Sequence, residues 1–275
     1  MSPKQVLEAL PAGRHYGAAR DGQCWTMVGR RLSDVDEWTI VPPLSSLTFA
    51  WGAGGCEVLY SGGEFTMRPG DLMWIDAGWG HRGKNIPGSD FLTIMFSPQR
   101  VASACLQVDP IGAAATQAPA ELAQMLVALC ALMLEGKETL LFEVPARDAV
   151  LAWVRKAFAP QRSKELKWGA LEAADKMLCD PQNTRLIGDV AREVGLDGPE
   201  FSRQFAKRFR MTPELYRKQQ RLAAATRALM AGHSVSAAAH DAGFSDSAHL
   251  SRTFKSQYGV PPSQWADKVA PGKGA

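Results

Sequence analysis

The 275-residue chain lacks any apolar run near the ~18 to 20 residues that a membrane-crossing helix requires. Its longest candidate, LVALCALML from Leu126 to Leu134, is about half that length. The N-terminal MSPKQVLEALPAG carries one lysine and too short an apolar stretch for an export signal, so a cytoplasmic location and no membrane partner are expected. Cysteine is sparse: five residues, at 24, 56, 105, 130 and 179, odd in number and with no Cys-x-x-Cys pair. That excludes a disulfide framework and a zinc ribbon, and fits reduced thiols. Histidine is scarcer where a metal site would need it, with none between residues 45 and 69.

What the chain does have is divided between two halves. Residues 1–160 hold 13 Lys+Arg and 16 Asp+Glu, whereas residues 161–275 hold 18 and 12, so the second half is basic and suited to a polyanion. Up to about residue 100 the chain reads as short strands, among them SSLTFAW, CEVLYSG, EFTM, DLMWID and DFLTIMF, cut by Gly, Pro or Asp. Their close spacing suggests an antiparallel sandwich or barrel over residues 1–116. Near Ala118 the period changes. Leu122, Met125, Leu126, Leu129, Leu132 and Met133 recur at helical steps, followed by Val150, Leu151, Val154 and Phe158. The segment 117–159 is therefore helical, its stripe serving either a homodimer contact or packing on the barrel. A polar linker is placed at 160–166, and residues 167–270 read as helices broken by short turns.

In that last region one pattern occurs twice. GLDGPEFSRQFAKRFRMTPELY (195–216) and GFSDSAHLSRTFKSQYGVPPSQW (243–265) share a glycine, a short polar turn, an apolar residue followed by Ser-Arg, then Phe, and a proline eight residues after it (Pro213, Pro262). Ile187, Val190, Ala191 and Val194 precede the first copy at helix-face spacing; Val235, Ala238, Ala239 and Ala242 precede the second. Each set implies a helix, a glycine stop and a second helix, giving helix-turn-helix units at 187–210 and 235–259. Between them TPELYRKQQRLAAATRALMAG has Thr212 as N-cap, Pro213 at the first helical position and Gly232 as terminator. Such a helix spans roughly 30 Å, close to the ~34 Å between successive major-groove turns on one DNA face.

With Phe201, Phe205, Phe209, Leu250, Phe254 and Tyr258 inward, the residues left for double-stranded DNA follow by elimination. They are Pro199, Glu200, Ser202, Arg203 and Lys207 in the first unit, and Ser247, Ala248, His249, Ser251, Arg252 and Lys255 in the second. Arg203 and Arg252 occupy matching positions, for guanine or phosphate, or for an ion pair within the protein. Arg208, Arg210, Arg217, Lys218 and Arg221 form a basic run suited to phosphates.

The segments LIGDVAREVGLDGPEFSRQFAKRFRMTPELY and SVSAAAHDAGFSDSAHLSRTFKSQYGVPPSQW resemble the C-terminal DNA-binding domain of the AraC family of bacterial transcription regulators, over about residues 168–269. The resemblance implies two helix-turn-helix units on adjacent major-groove segments, with Ser202, Arg203, Ser251 and Arg252 facing the bases. Gly198 and Pro199 depart from it, standing where larger polar or aromatic residues are frequent. GDLMWIDAGWGHRGKN (70–85) resembles the second cupin signature through Gly70, Gly78, His81 and Asn85, with Asp76 where proline is usual. The family then implies a cupin-like β-barrel that senses a small molecule. Cupin enzymes add a His-x-His and a glutamate; here no His-x-His precedes His81, so no metal, cofactor or catalytic residue is expected. Trp51, Trp74, Trp79 and His81 are candidate effector contacts by residue type, although for any one of them core packing is the expected fate.

The expected fold is thus α+β and multidomain: an N-terminal cupin-like barrel plus helices and a C-terminal all-α double helix-turn-helix. The expected function is effector-controlled, sequence-specific DNA binding, with RNA polymerase a further partner of an activator. A cupin-type metalloenzyme with a DNA-binding appendage is the alternative. A base-modifying protein would need a reactive cysteine, and lone Cys179 reads as a core residue.

Overall fold

Alternation along the strands decides the architecture of the N-terminal half. The computed structural model describes residues 1–32, 37–60, 63–103, 113–136, 140–158 and 169–269. Helix α1 (Pro3–Glu8) precedes β1 (Gly13–Ala18), β2 (Cys24–Leu32), β3 (Glu37–Ile40), β4 (Ser45–Ala50) and β5 (Cys56–Tyr60). Then come β6 (Gly63–Met67), β7 (Asp71–Ile75), β8 (His81–Asn85), β9 (Ser89–Phe96), α2 (Pro98–Ser103), β10 (Ala113–Gln117), α3 (Ala120–Glu135) and α4 (Leu140–Phe158). All described pairings are antiparallel, in a six-stranded sheet ordered β1-β2-β9-β4-β7-β10 and a four-stranded sheet ordered β3-β8-β5-β6.

The larger sheet has two unlike faces. Leu47 and Phe49 of β4, Leu72 and Trp74 of β7, and Leu92, Ile94 and Phe96 of β9 form one core with Leu122, Leu126, Leu129 and Met133 of α3 and Val150, Leu151, Val154 and Phe158 of α4. The helical stripe is therefore consumed by packing on the sheet, and these residues are not exposed to a second copy. Gly17 on β1 lets α3 come close, since a Cβ there would lie 2.5 Å from the Met133 carbonyl oxygen. Buried Arg147 fastens α4 to the β1–β2 turn, donating from Nη1 and Nη2 to both oxygens of Asp21 at 2.9 and 2.8 Å. That contact, with an added pull from Arg100, holds the Asp21 carboxyl below the usual range against the opposing effect of burial. The opposite face carries Ser46, Thr48, Met73, Ile75, Phe91, Thr93 and Met95, and looks onto the smaller sheet.

Strands β4, β5, β6, β7 and β9 coincide with the stretches expected from sequence. β1, β2, β3, β8 and β10 were not among those stretches; in β8, His81, Gly83 and Asn85 are buried while Arg82 and Lys84 point to solvent. In β2 the charged Arg30 is buried because Asp90 pairs with it at 2.5 Å.

The C-terminal half is helical: α5 (Ala170–Cys179), α6 (Ile187–Glu193), α7 (Gly198–Phe209), α8 (Pro213–Met230), α9 (Val235–Asp241), α10 (Ser247–Tyr258) and α11 (Pro262–Val269). The linker expected at 160–166 lies outside the described residues. The turns after α6 and α9 pass through Gly195 at φ 77° and Gly243 at φ 72°, a left-handed backbone that side chains disfavour. Side-chain caps start each recognition helix: Asp197 accepts from Glu200 N–H at 2.8 Å and Asp246 from His249 N–H at 2.6 Å. Thr212 caps α8 by accepting from Leu215 N–H. Among the described residues, no helix is long and apolar enough to cross a membrane.

The two halves are docked. Tyr16, Trp25 and Leu44 of the barrel share a core with Leu222, Leu229, Leu250, Phe254 and Trp265, whereas Val41 is the barrel's buried contribution to the core around Phe201 and Phe205. Arg14 Nη1 donates to the Gln257 carbonyl at 2.5 Å, Tyr16 Oη to the Tyr258 carbonyl at 2.7 Å, and Trp25 Nε1 to the Val269 carbonyl at 3.0 Å. On the first unit, Arg210 Nε donates to the Tyr60 carbonyl at 3.3 Å and Met211 packs against Gly80.

Candidate DNA interface and internal cavity

Phe201 and Phe205 of α7, and Leu250 and Phe254 of α10, are fully buried, which turns the other face of each helix outward. Pro199, Arg203 and Lys207 are exposed, with Glu200 and Ser202 half-buried; Ser247, Ala248, His249, Arg252 and Lys255 are exposed, with Ser251 half-buried. The two arginines at matching positions differ. Arg203 is forked onto Glu200, its Nε and Nη2 donating to the carboxylate at 2.7 to 2.9 Å, and Gln204 also reaches that carboxylate. Gln204 and Arg203 together hold the Glu200 carboxyl below its usual range. Among the described residues Arg252 makes no ion pair of this kind, and its charge is felt by the Asp246 carboxyl, which it helps to lower. Ser251 Oγ donates back to the Ser247 carbonyl at 2.7 Å, and His249 lies near Ser245.

The basic run is mostly committed inside the protein. Arg217 Nη1 donates to the Arg185 carbonyl at 2.6 Å and Arg221 Nη2 to the Asn183 carbonyl at 3.1 Å. The guanidinium of Arg208 lies over the rings of Phe209 (5.0 Å) and Trp79 (5.9 Å), and Arg210 holds Tyr60. Carbonyls left open by the α5–α6 connection and by β5 take these donors. Lys218 alone of the five is exposed.

Between the two sheets lies a cavity of about 170 Å³, bounded on one side by the C-terminal half. By the ~10 to 15 Å³ that one water needs, it has room for on the order of ten waters. Met27, Leu32, Trp38, Ile40, Met73, Ile75, Phe91 and Met95 make most of the wall. Thr226, Gln257, Tyr258 and Trp265 form that side, and Arg14 stands on the lining next to them. Among the described residues, no carboxylate lines it. His81 does, donating from Nδ1 to the Trp79 carbonyl at 3.1 Å, with Trp38 edge-on at 5.0 Å. Burial pushes the His81 imidazole down to about 4, so the ring is neutral near pH 7 and Nε2 is an acceptor. Arg14 is then the one formal charge on the lining among the described residues.

Of the four side chains proposed for the effector, His81 lies on this cavity and the three tryptophans lie off it. Trp74 points to the helix-covered face, where Phe96 packs on it and its Nε1 donates to Asp76 at 2.9 Å. Trp51 sits under Arg30, whose guanidinium is 4.9 Å from its ring centre, and Trp79 meets Arg208. Alternation explains the first: in β7 the neighbours Met73 and Trp74 must face opposite ways. Arg14, Tyr16, Trp38, Gln257, Tyr258 and Trp265 were missed. The available signal was the parity of the strands, since Ser46, Thr48 and Thr93 mark the inward face.

Cys179, expected in a core, is exposed at the end of α5. Its thiol donates to Asp175 at 3.3 Å, and desolvation of the sulfur together with that carboxylate pushes it up to about 12, the opposite of an activated nucleophile. Among the described residues, no group of three or more His, Cys, Asp or Glu side chains is placed to hold a metal ion.

Residues 52–148 match the family described as the AraC-like ligand binding domain, and residues 170–268 match that described as a helix-turn-helix domain. No curated protein matches the chain. Wild-type ToxT from Vibrio cholerae strain SCE256, solved with an unsaturated fatty acid bound, aligns with a TM-score of 0.55 at 12% identity, covering 90% of this chain and 96% of that one. ToxT from Vibrio cholerae O395, bound to (E)-4-(8-methylnaphthalen-1-yl)but-3-enoic acid, gives 0.55 at 11% identity, covering 90% and 100%. At such identities the likeness is one of fold. The two domain matches span well over half of the sequence, one over the barrel and its helices and one over the paired units. A ligand-binding domain followed by that double DNA-reading module makes this chain a member of the AraC family of transcription regulators.

Proposed function

We propose that the chain is a one-component regulator whose cavity takes a small apolar molecule with a single anionic head. The carrying observation is the charge pattern of the lining: apolar walls, a neutral histidine, no carboxylate among the described residues, and Arg14 where barrel and DNA-binding half meet. The planar guanidinium of Arg14, which also bonds the Gln257 carbonyl and Tyr16, has the geometry and charge to pair with a carboxylate. The volume suits about a ten-carbon acid, with the tail between the sheets and His81 Nε2 able to accept from a hydroxyl along it. The acids bound to ToxT are of this general kind, which supports the reading without fixing the ligand. No catalytic step is part of the function.

Decanoate tests it, against methyl decanoate and decylamine, with fluorescence of Trp38 and Trp265 reporting occupancy. Decanoate should bind and the other two should bind about tenfold more weakly or worse, the size of a lost charge-assisted hydrogen bond. Equal binding of acid and ester would contradict the anionic head. Arg14→Ala should weaken decanoate by a similar factor and leave the ester unchanged.

A further inference from the structure

The four C-terminal residues on the cavity come from one side of the DNA-binding half. Thr226 lies late in α8, Gln257 and Tyr258 end α10, and Trp265 is in α11. Gln257 and Tyr258 belong to the second unit, Trp265 joins its core, which is continuous with Tyr16, Trp25 and Leu44 of the barrel, and Thr226 lies on the helix that connects the two units. These residues are also bound to one another. The Thr226 and Tyr258 hydroxyls lie 3.2 Å apart, Trp265 packs on both Phe254 and Tyr258, and Gln219 Nε2 donates to Gln257 Oε1 at 3.1 Å.

The first unit meets the barrel elsewhere. Its contacts include the Tyr60 carbonyl, the Trp79 ring, Gly80 and Val41, and none of these four lines the cavity. An occupant thus touches the end of the second recognition helix but reaches the first only through the intervening sheet.

We infer that the second helix-turn-helix unit is the regulated reader and the first is an anchor fixed to the outside of the barrel. This rests on the cavity being the effector site. A molecule held against Arg14, Tyr258 and Trp265 sets the position of α10 relative to α7, and so the spacing at which two DNA segments can be read together. A ligand shifts an equilibrium only by interacting differently with its two states, and only the second unit offers it direct contacts.

Hydrogen exchange on the full chain tests this in two arms. In the first, decanoate should slow exchange about fivefold over 222–230 and 247–269 and leave 187–209 unchanged. Equal protection of 187–209 would overturn the inference. In the second, without ligand, Tyr16→Phe should speed exchange over 247–269 about fivefold, as one lost hydrogen bond does, and spare 187–209. Arg210→Ala should do the reverse, acting on 198–209 alone. Acceleration of both units by either variant would also overturn it. Failure of decanoate to change the tryptophan fluorescence would refute the ligand class proposed above, and the second arm would still decide the asymmetry.

Discussion

The two helix-turn-helix units share a sequence pattern and differ in what meets the end of their second helix. α7 ends on Arg210, a side-chain-bearing residue at φ 58°, while α10 ends on Gly259 at φ 81°. A left-handed backbone costs an L-residue roughly 1 to 2 kcal/mol. In the first unit that strain sits where Arg210 also bonds to Tyr60, so the contact with the barrel over-determines it. The second unit has a relaxed glycine cap, and the residues just before it form a cavity wall. Equal motifs therefore receive unequal roles from their neighbours. Both ends are bonded to the barrel, the first at Tyr60, away from the cavity, and the second through Arg14 and Tyr16, which line it.

The largest effects should come from the matched core aromatics. Phe205→Ala and Phe254→Ala should each cost about 3 to 5 kcal/mol in urea unfolding, as truncation of a buried Phe does. They should part company in ligand binding. Phe254 packs 5.3 Å from Trp265, so its loss should also weaken decanoate, whereas Phe205→Ala should not. If both weaken it alike, the units are not distinct.

Acid should come next. The His81 value of about 4 in the folded chain lies below the ordinary 6.5, so the unfolded chain binds the proton more readily between those limits. Stability should be unaffected by this group above about pH 6.5 and fall as pH drops toward 4, by up to about 3 kcal/mol. His81→Gln should flatten that slope in thermal melts across the window. An unchanged slope would mean that the imidazole is not held neutral by burial.

On DNA, Arg252→Ala should cost about 1 to 3 kcal/mol at the best site and relax preference there, measured by fluorescence anisotropy. Arg203→Ala should cost less, under about 1 kcal/mol, because Arg203 must first leave Glu200. Equal losses would erase the distinction between the two readers. The smallest effect is Tyr16→Phe, worth about 1 kcal/mol of docking between barrel and second unit, visible as separation of two calorimetric transitions.

Much of the C-terminal half was legible in the sequence because its determinants are local. Gly195 and Gly243, the Thr212 cap and the Phe201/Phe205 and Leu250/Phe254 spacings each act within a few residues. The cavity was not legible because its determinants are distant in sequence. Arg14 and Gln257 meet across 243 positions, and Trp74 is excluded from the cavity only by which face of β7 the helices cover. Choosing effector residues by type favoured tryptophans, although the inward face of β4 carries Ser46 and Thr48. The basic run misled for a related reason. Arg217 and Arg221 satisfy carbonyls of a connection whose position the sequence pattern does not encode.

The most direct test of the central claim is a selection from random duplexes with the intact chain, sequencing what is retained at two salt concentrations. Two conserved blocks, with centres about one helical turn or ~10 base pairs apart, are the predicted result, since each unit presents its own outward face and α8 holds the pair together. A single block, or salt-sensitive retention without any motif, would contradict the account of two readers on one chain.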